Sequence, residues 1–239
     1  MRTTRVFHSQ PLADEREFEL DAGSARHLTR VLRLRTGDAF VVFDGTGFDW
    51  PATLLEGTRA RTGAGARVAT ESPLAVTLVQ GISRGERMDW TLQKAVELGV
   101  SRVVPVVAER TTVRLDGARE DKRLAHWRGV MLAACEQSGR SIVPALAPIT
   151  TFTAWLAGLA GPALVLDPDA RDGLAAQAGH AAAFTLVVGP EGGLSAAELA
   201  AARAAGCTAV RIGPRVLRTE TAGVAALAAL QTLFGDLSN

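Results

Sequence analysis

An α/β fold with a mainly parallel sheet, preceded by a small β domain, is what this 239-residue sequence predicts. Three observations carry the prediction. From residue 74 onward, apolar runs of strand length alternate with helical stretches, the pattern of strand–helix–strand units covered on both faces. The last two strands each end in a Gly-Pro loop that feeds a helix: Gly189-Pro190-Glu191-Gly192-Gly193, then Gly213-Pro214-Arg215-Val216-Leu217-Arg218-Thr219. Residues 1–70, by contrast, alternate and turn like small β structure.

Taken in order, residues 40–43, the turn Asp44-Gly45-Thr46-Gly47 and residues 48–55 read as strand, tight turn and strand. Residues 58–66 read as loop, with two glycines, two arginines and little to bury, and residues 67–70 can supply another strand. The pattern changes at Glu71-Ser72-Pro73, which sets domains of 1–72 and 73–239. Beyond that boundary come a strand at 74–82, a helix at 88–98 closed by Gly99, a strand at 102–108 and a helix at 121–138 closed by Gly139. Residues 163–167 and 184–188 are further buried strands. Ser195 and Glu198 form a capping box for the next helix, which Gly206 closes. Residues 208–212 make the last strand and 220–234 the last helix. Because 221–234 is apolar on nearly every side, it is expected to be buried all round, within one subunit or against a second.

Composition narrows the class. Apolar residues make up 47% and charged residues 21%, as in an ordinary globular protein. A net charge of +1 points to no partner by itself, although all the basic residues except Lys94 and Lys122 are arginine, whose planar fork suits phosphate and base recognition where it clusters. Cys135 and Cys207 form no CxxC and read as buried small residues, and His8, His27, His126 and His180 have no ligand spacing, so no metal site is expected. The amino terminus lacks a signal-peptide run, and the longest apolar stretch, 222–230, is too short for a bilayer. A cytoplasmic protein is expected.

Loops at the carboxyl ends of buried strands are where open α/β sheets bind ligands. Residues 189–193 let a backbone approach a ligand closely, and the helix begun at Ser195 favours an anion by ~0.3–1 kcal/mol. The loop is neither GxGxxG nor a Walker A sequence. Glu191 can bind a ribose hydroxyl or amino group, or merely cap a helix. In the second loop Arg215, Arg218 and Glu220 surround a strand–helix junction; solvated charge accounts for Arg215 equally well. Lys94 and Glu97 fit a polar helix face, and Arg140 a helix end. Arg26, His27, Arg30, Arg33 and Arg35 form a basic segment without an acid, which suits RNA contact or a solvated face.

LVVGPEGGLS followed by RIGPRVLRTETA resembles the closing motifs of the SPOUT-class RNA methyltransferases. More narrowly, the LRTETA ending resembles the bacterial 16S rRNA (uracil-N3)-methyltransferase family, and the SLNVS-like segment of the 2′-O-methylating relatives is missing. Arg84-Gly85-Glu86-Arg87-Met88 leading into residues 93–100, Glu136-Gln137-Ser138-Gly139-Arg140 with Val143-Pro144, and the amino-terminal His27-Leu28, residues 31–34 and Gly37-Asp38 extend the resemblance over nearly the whole chain. Arg84 stands where lysine is usual and Ser141 where asparagine is common.

The resemblance implies a carboxy-terminal trefoil-knot domain, which binds S-adenosylmethionine, after a PUA-like β-barrel. It places the cofactor cradle at Leu166, Val188, Gly189, Pro190, Glu191, Gly192, Gly193, Ile212, Gly213, Val216, Leu217, Arg218 and Thr219. It further implies methyl transfer to N3 of a uridine in 16S rRNA of the assembled 30S subunit, and a homodimer formed through the last helix. Arg218 is the first candidate for stabilising the uracil anion and Arg140 the second; Glu220 is a general base or orients Arg218. Arg5, Arg26, Arg33, Arg84 and Arg87 are the expected RNA contacts. Two alternatives stand beside this reading: a SPOUT enzyme acting on another RNA or base atom, and a non-catalytic ribosome-assembly factor.

Overall fold

The computed structural model describes residues 4–113, 117–177 and 182–238; His180 lies outside them. Contacts divide the chain into two units, one of Met1–Glu71 with Leu132–Val143 and one of Ser72–Met131 with Pro144–Asn239. The boundary at 71/72 falls where the sequence pattern changes. The grouping of 132–143 with the amino-terminal residues is a feature that the expected contiguous domains do not contain.

The smaller unit is built on β1 (Arg5–Phe7), β2 (Glu17–Glu19), α1 (Ala22–Arg26), β3 (Ala39–Phe43), β4 (Phe48–Leu54), β5 (Arg59–Thr62) and β6 (Ala66–Arg67). Its sheet runs β1-β3-β4-β5-β2, with β6 on β4; β1 pairs with β3 in parallel and the other pairs are antiparallel. Val6, Leu28, Phe40, Val42, Trp50, Leu54 and Ala60 form its core. The expected loop at 58–66 is corrected here: β5 occupies 59–62. Ala60 and Thr62 point into the core while Arg59 and Arg61 pair outward with Glu17, so small inward residues and outward arginines hide a period-2 strand. After α1, capped by Asp21, a π-helical turn at His27–Val31 presents Arg26, Arg30, Arg33 and Arg35 to solvent.

Residues 132–143 complete this unit through polar contacts. Arg5 pairs with Asp49, donates to the Arg140 carbonyl at 3.2 Å and to Ser141 Oγ at 3.0 Å, and lies 4.9 Å from the centre of the Phe43 ring. The Phe7 amide donates to Glu136 at 3.0 Å. Burial pushes the Glu136 carboxyl above its ordinary range and holds the Cys135 thiol up at about 11. Both cysteines are free and buried.

The larger unit contains β7 (Ala75–Gly81), α2 (Glu86–Glu97), β8 (Val100–Val107), β9 (Ala145–Leu146), β10 (Thr150–Thr151), α4 (Phe152–Ala157), β11 (Ala163–Leu166), β12 (Ala183–Val188), α5 (Ala196–Ala204), β13 (Cys207–Val210) and α6 (Thr219–Phe234); α3 (Gly117–Ser138) belongs to it up to residue 131. Every strand pair is parallel and the order is β10-β8-β7-β12-β11-β13, with β9 on β8. Strands buried on both faces need near-continuous apolar runs, which is why β7, β8 and β12 are rich in valine and leucine. The Ser195–Glu198 capping box is present.

The last strand, β13, lies at the sheet edge beside β11, yet α6 packs on β7, β12 and α2 near the middle. To get there the chain first passes alongside 172–174, where Arg211 pairs with the Asp172 carbonyl and the Leu174 amide. Burial of α6 on every side is not what one chain supplies. Gly223, Ala226, Leu227 and Leu230 are buried, Val224, Ala225, Ala228 and Ala229 are half-covered, and Leu233 is exposed.

Candidate active site

Three neighbouring parallel strands, β12, β11 and β13, end side by side, and the loops that leave them enclose a cavity of about 490 Å3. Leu166, Val188, Gly189, Pro190, Glu191, Gly192, Gly193, Ile212, Gly213, Val216, Leu217, Arg218 and Thr219 all line it, together with Glu220 and Arg87. The two Gly-Pro loops are thus walls of one space. The register explains it: Leu164 of β11 lies beside Leu186 on one flank and Thr208 on the other, so all three strands stop at similar height.

The glycine loop is held by a buried polar chain. Gln80, the polar residue near the end of apolar β7, donates from Nε2 to the Gly81 carbonyl and to Thr219 Oγ1, both at 3.0 Å. Thr219 Oγ1 donates in turn to the Gly189 carbonyl at 2.6 Å. Because the threonine has one proton and Gly189 offers only an acceptor, Gln80 must be the donor to it, which fixes the amide orientation. Thr219→Val is expected to destabilise the protein by about 1–3 kcal/mol, since it strands a buried donor and a buried acceptor. Thr219→Ser keeps the chain; urea unfolding of the two variants is the check.

Glu191 accepts from the Arg84 amide at 2.8 Å and from Arg87 at 3.2 Å. Burial alone would raise its pKa, but these donors outweigh it and hold the carboxyl below its ordinary value. Arg87 also reaches Glu220, Nε to Oε1 at 3.8 Å, so one guanidinium spans a carboxylate from each side of the cavity. Glu220 therefore pairs with Arg87 and not with Arg218. Arg218, the N-cap residue of α6, is exposed and its side chain makes no capping bond. Arg84 is exposed on the turn before α2.

Sequence reasoning missed Arg110, Asp167 and Gln80. Arg110 packs over Gly192 and donates to its carbonyl at 3.1 Å; nothing in its local sequence marks it. Asp167 lines the cavity, accepts from Arg203 at 2.6 Å and from the Asp169 amide at 3.0 Å. Gln80 did carry a signal, a buried-strand polar residue that needs partners. Among the described residues no cluster of metal-ligating side chains occurs, and no helix is long and apolar enough to cross a membrane.

Arg140 does not line this cavity. It belongs to the smaller unit, buried, with its guanidinium forked onto Glu71: Nε donates at 3.0 Å and Nη2 makes the second bond. Arg5 is likewise enclosed by Asp49, Ser141 and Phe43, whereas Arg26 and Arg33 are exposed. Glu71→Ala is expected to cost roughly 3 kcal/mol in unfolding free energy, because it removes the carboxylate from a buried guanidinium; thermal and urea melts measure it.

Comparisons with known proteins agree with this geometry. An RNA methyltransferase domain family matches residues 70–231, and an RNA methyltransferase PUA domain family matches residues 20–59. Ribosomal RNA small subunit methyltransferase E of Mycobacterium tuberculosis is 36% identical over 229 residues, covering 90% of this chain and 86% of that protein. The crystal structure of ribosomal RNA small subunit methyltransferase E from Neisseria gonorrhoeae bound to S-adenosylmethionine is 41% identical, with a TM-score of 0.93 over 98% of this chain and 99% of that one. A putative methyltransferase of Legionella pneumophila in complex with S-adenosylmethionine is 32% identical, with a TM-score of 0.95 over 99% of this chain and 100% of that one. The larger unit has the SPOUT trefoil-knot fold and the smaller one is PUA-like. The chain belongs to the RNA methyltransferase family whose curated members carry the name ribosomal RNA small subunit methyltransferase E.

Proposed function

We propose that this chain methylates N3 of a uridine in 16S rRNA of the assembled small ribosomal subunit, using S-adenosylmethionine. The supporting observation is the single cavity at three adjacent strand ends, in which the LRTETA segment places Arg218 and Glu220 beside the glycine loop. The cavity's make-up fits the cofactor. Leu166, Val188, Ile212 and Leu217 offer apolar walls for a purine, the loop backbones offer amides and carbonyls, and acids and arginines face the polar remainder. The loop also runs so close to its own return that a Cβ on Gly189 would lie 2.8 Å from the Leu194 amide nitrogen, so any side chain there would force the loop apart. When bound, S-adenosylmethionine supplies an electrophilic methyl group on a sulfonium.

The chain's own residues have to deal with the uridine proton. N3 is a poor nucleophile until that proton leaves, and each pKa unit above ambient pH costs about 1.4 kcal/mol. Arg218 places positive charge where the uracil oxygens gain negative charge, which lowers that cost. Glu220 accepts the N3 proton, and Arg87, 3.8 Å away, holds its carboxylate at the cavity edge. Arg140 does not line the cavity and instead holds Glu71 within the smaller unit. Exposed Arg26 and Arg33 on the smaller unit meet RNA phosphates, as do Arg84 and Arg87 on the larger one, where Arg87 lines the cavity. Arg5, enclosed by Asp49, Ser141 and Phe43, braces the smaller unit from within.

The decisive experiment is methylation of 30S particles with labelled cofactor, followed by mapping of the product. Label in 3-methyluridine at one 16S position is expected, with naked rRNA a poorer substrate. Label on a ribose oxygen or another base would assign a different specificity, and failure to bind S-adenosylmethionine in calorimetry would leave an RNA-binding factor. The half-covered α6 and the exposed Leu233, Leu237 and Val216 support a homodimer formed through the last helix; sedimentation at micromolar concentration should give twice the 25.1 kDa chain mass.

A further inference from the structure

A second cleft, of about 380 Å3, opens in the larger unit between the start of α2 and the first half of α3. Met88 and Trp127, both buried, form its floor. Arg119, Lys122, Arg123 and His126 form one wall, and Gly85 and Asp89 the other. The four basic residues sit at i, i+3, i+4 and i+7, so they share one face of α3 and span about 10 Å along its axis. Glu120 and Asp121, their neighbours in sequence, point roughly 90° or more away at about 100° per residue. The helix therefore sorts its charges, cations into the cleft and acids out of it.

The cleft's one carboxylate is already engaged: Asp89 is hydrogen-bonded to His126 Nε2 at 2.8 Å. Arg123 lies 5.9 Å from the centre of the Trp127 ring. On the facing wall, Gly85 caps α2 without a side-chain bond, and a Cβ there would meet nothing within 4 Å. The cleft is thus open at its backbone wall, next to amides that α2 leaves without intrahelical partners. Only the turn from Arg84 to Asp89 separates it from the cavity of the first site, because Arg87 lines one space while Gly85 and Asp89 line the other.

We propose that this cleft binds the sugar–phosphate backbone of the RNA strand next to the nucleotide undergoing methylation. The inference rests on reading the chain as an rRNA methyltransferase. A base must leave its stack to reach the first cavity, and a strand so distorted needs its neighbouring phosphates held. Cations in a row, with an arginine over an aromatic ring, hold a backbone without reading sequence.

The test uses the full-length protein and a fluorescein-labelled single-stranded RNA of mixed sequence. Lys122→Glu and Arg123→Glu are each expected to weaken binding about tenfold at 0.1 M salt, and Lys122→Ala to lower the salt slope by about 0.7. Arg128→Glu, a charge reversal on the opposite face of α3, should change binding less than twofold, and S-adenosylmethionine affinity by calorimetry should be the same in every variant. Equal effects of the reversals at 122, 123 and 128 would overturn the site. Loss of binding to polyglutamate with RNA binding intact would assign the cleft to an acidic peptide and also overturn it. If the wild-type protein fails to make 3-methyluridine in 30S particles while the cleft variants still bind RNA selectively less well, the specificity reading falls and the cleft stands.

Discussion

Arg218→Ala is expected to slow methyl transfer by about 10²–10³-fold, the usual cost of losing one donor to a developing anion. Among the described residues its guanidinium takes part in no ion pair or hydrogen bond, so it is available to a substrate and its removal breaks nothing internal. The loss should lie in kcat, with the melting temperature unchanged. The pH profile separates this role from plain RNA binding. If Arg218 eases deprotonation of N3, the variant depends more on hydroxide, and its rate should climb more steeply between neutral and alkaline pH. A parallel profile with a raised KM would mean that Arg218 only holds the RNA. Glu220→Gln offers the companion measurement, because a lost base should slow methyl transfer about 10²-fold while S-adenosylmethionine affinity stays unchanged.

Gly81→Ala should weaken cofactor binding at least tenfold. A Cβ on Gly81 would fall 2.6 Å from the Gly189 carbonyl carbon and equally close to the Pro190 ring, against the backbone nitrogen as well. Neither neighbour is the free end of a flexible side chain, so the strand end or the glycine loop must move. Overpacking of this kind costs about 1–3 kcal/mol, and the displaced loop takes with it the Gly189 carbonyl that Thr219 holds. Calorimetry should show at least a tenfold loss of S-adenosylmethionine affinity, and melting a drop of several degrees. Retained affinity would mean that the loop adapts and that the close approach is incidental.

Much of the larger unit was legible because its strands are buried on both faces and its helices stop at glycines. Val76, Leu78 and Val79 spell β7 without tertiary information, and Gly99, Gly139 and Gly206 take positive φ where chain direction changes. The smaller unit was less legible. β1 and β2 have three residues each, and β5 buries only alanine and threonine, so hydrophobic periodicity has little to register. Site residues follow the same division. The cavity-lining residues lie in two contiguous loops, whereas Arg110 reaches Gly192 across 82 positions and Arg140 finds Glu71 across 69. Such pairings depend on topology, which local composition does not encode. The all-round apolarity of α6 predicts burial on every side, and one chain supplies only part of it.

The inclusion of Leu132–Val143 in the smaller unit bears on how the protein is made. Arg5 waits for Ser141 across 136 positions and Phe7 for Glu136 across 129. When residue 72 leaves the ribosome, β1 therefore has its sheet partner and Arg5 has Asp49, but Ser141 and the Arg140 carbonyl, which also take up Arg5, and Glu136, which accepts from the Phe7 amide, are still missing. At 5–20 residues per second, roughly 70 further residues take about 4–14 s to appear. During that interval the amino-terminal sheet is an unfinished object, exposed to chaperones and proteases, and a fragment cut at the sequence boundary would stay so permanently.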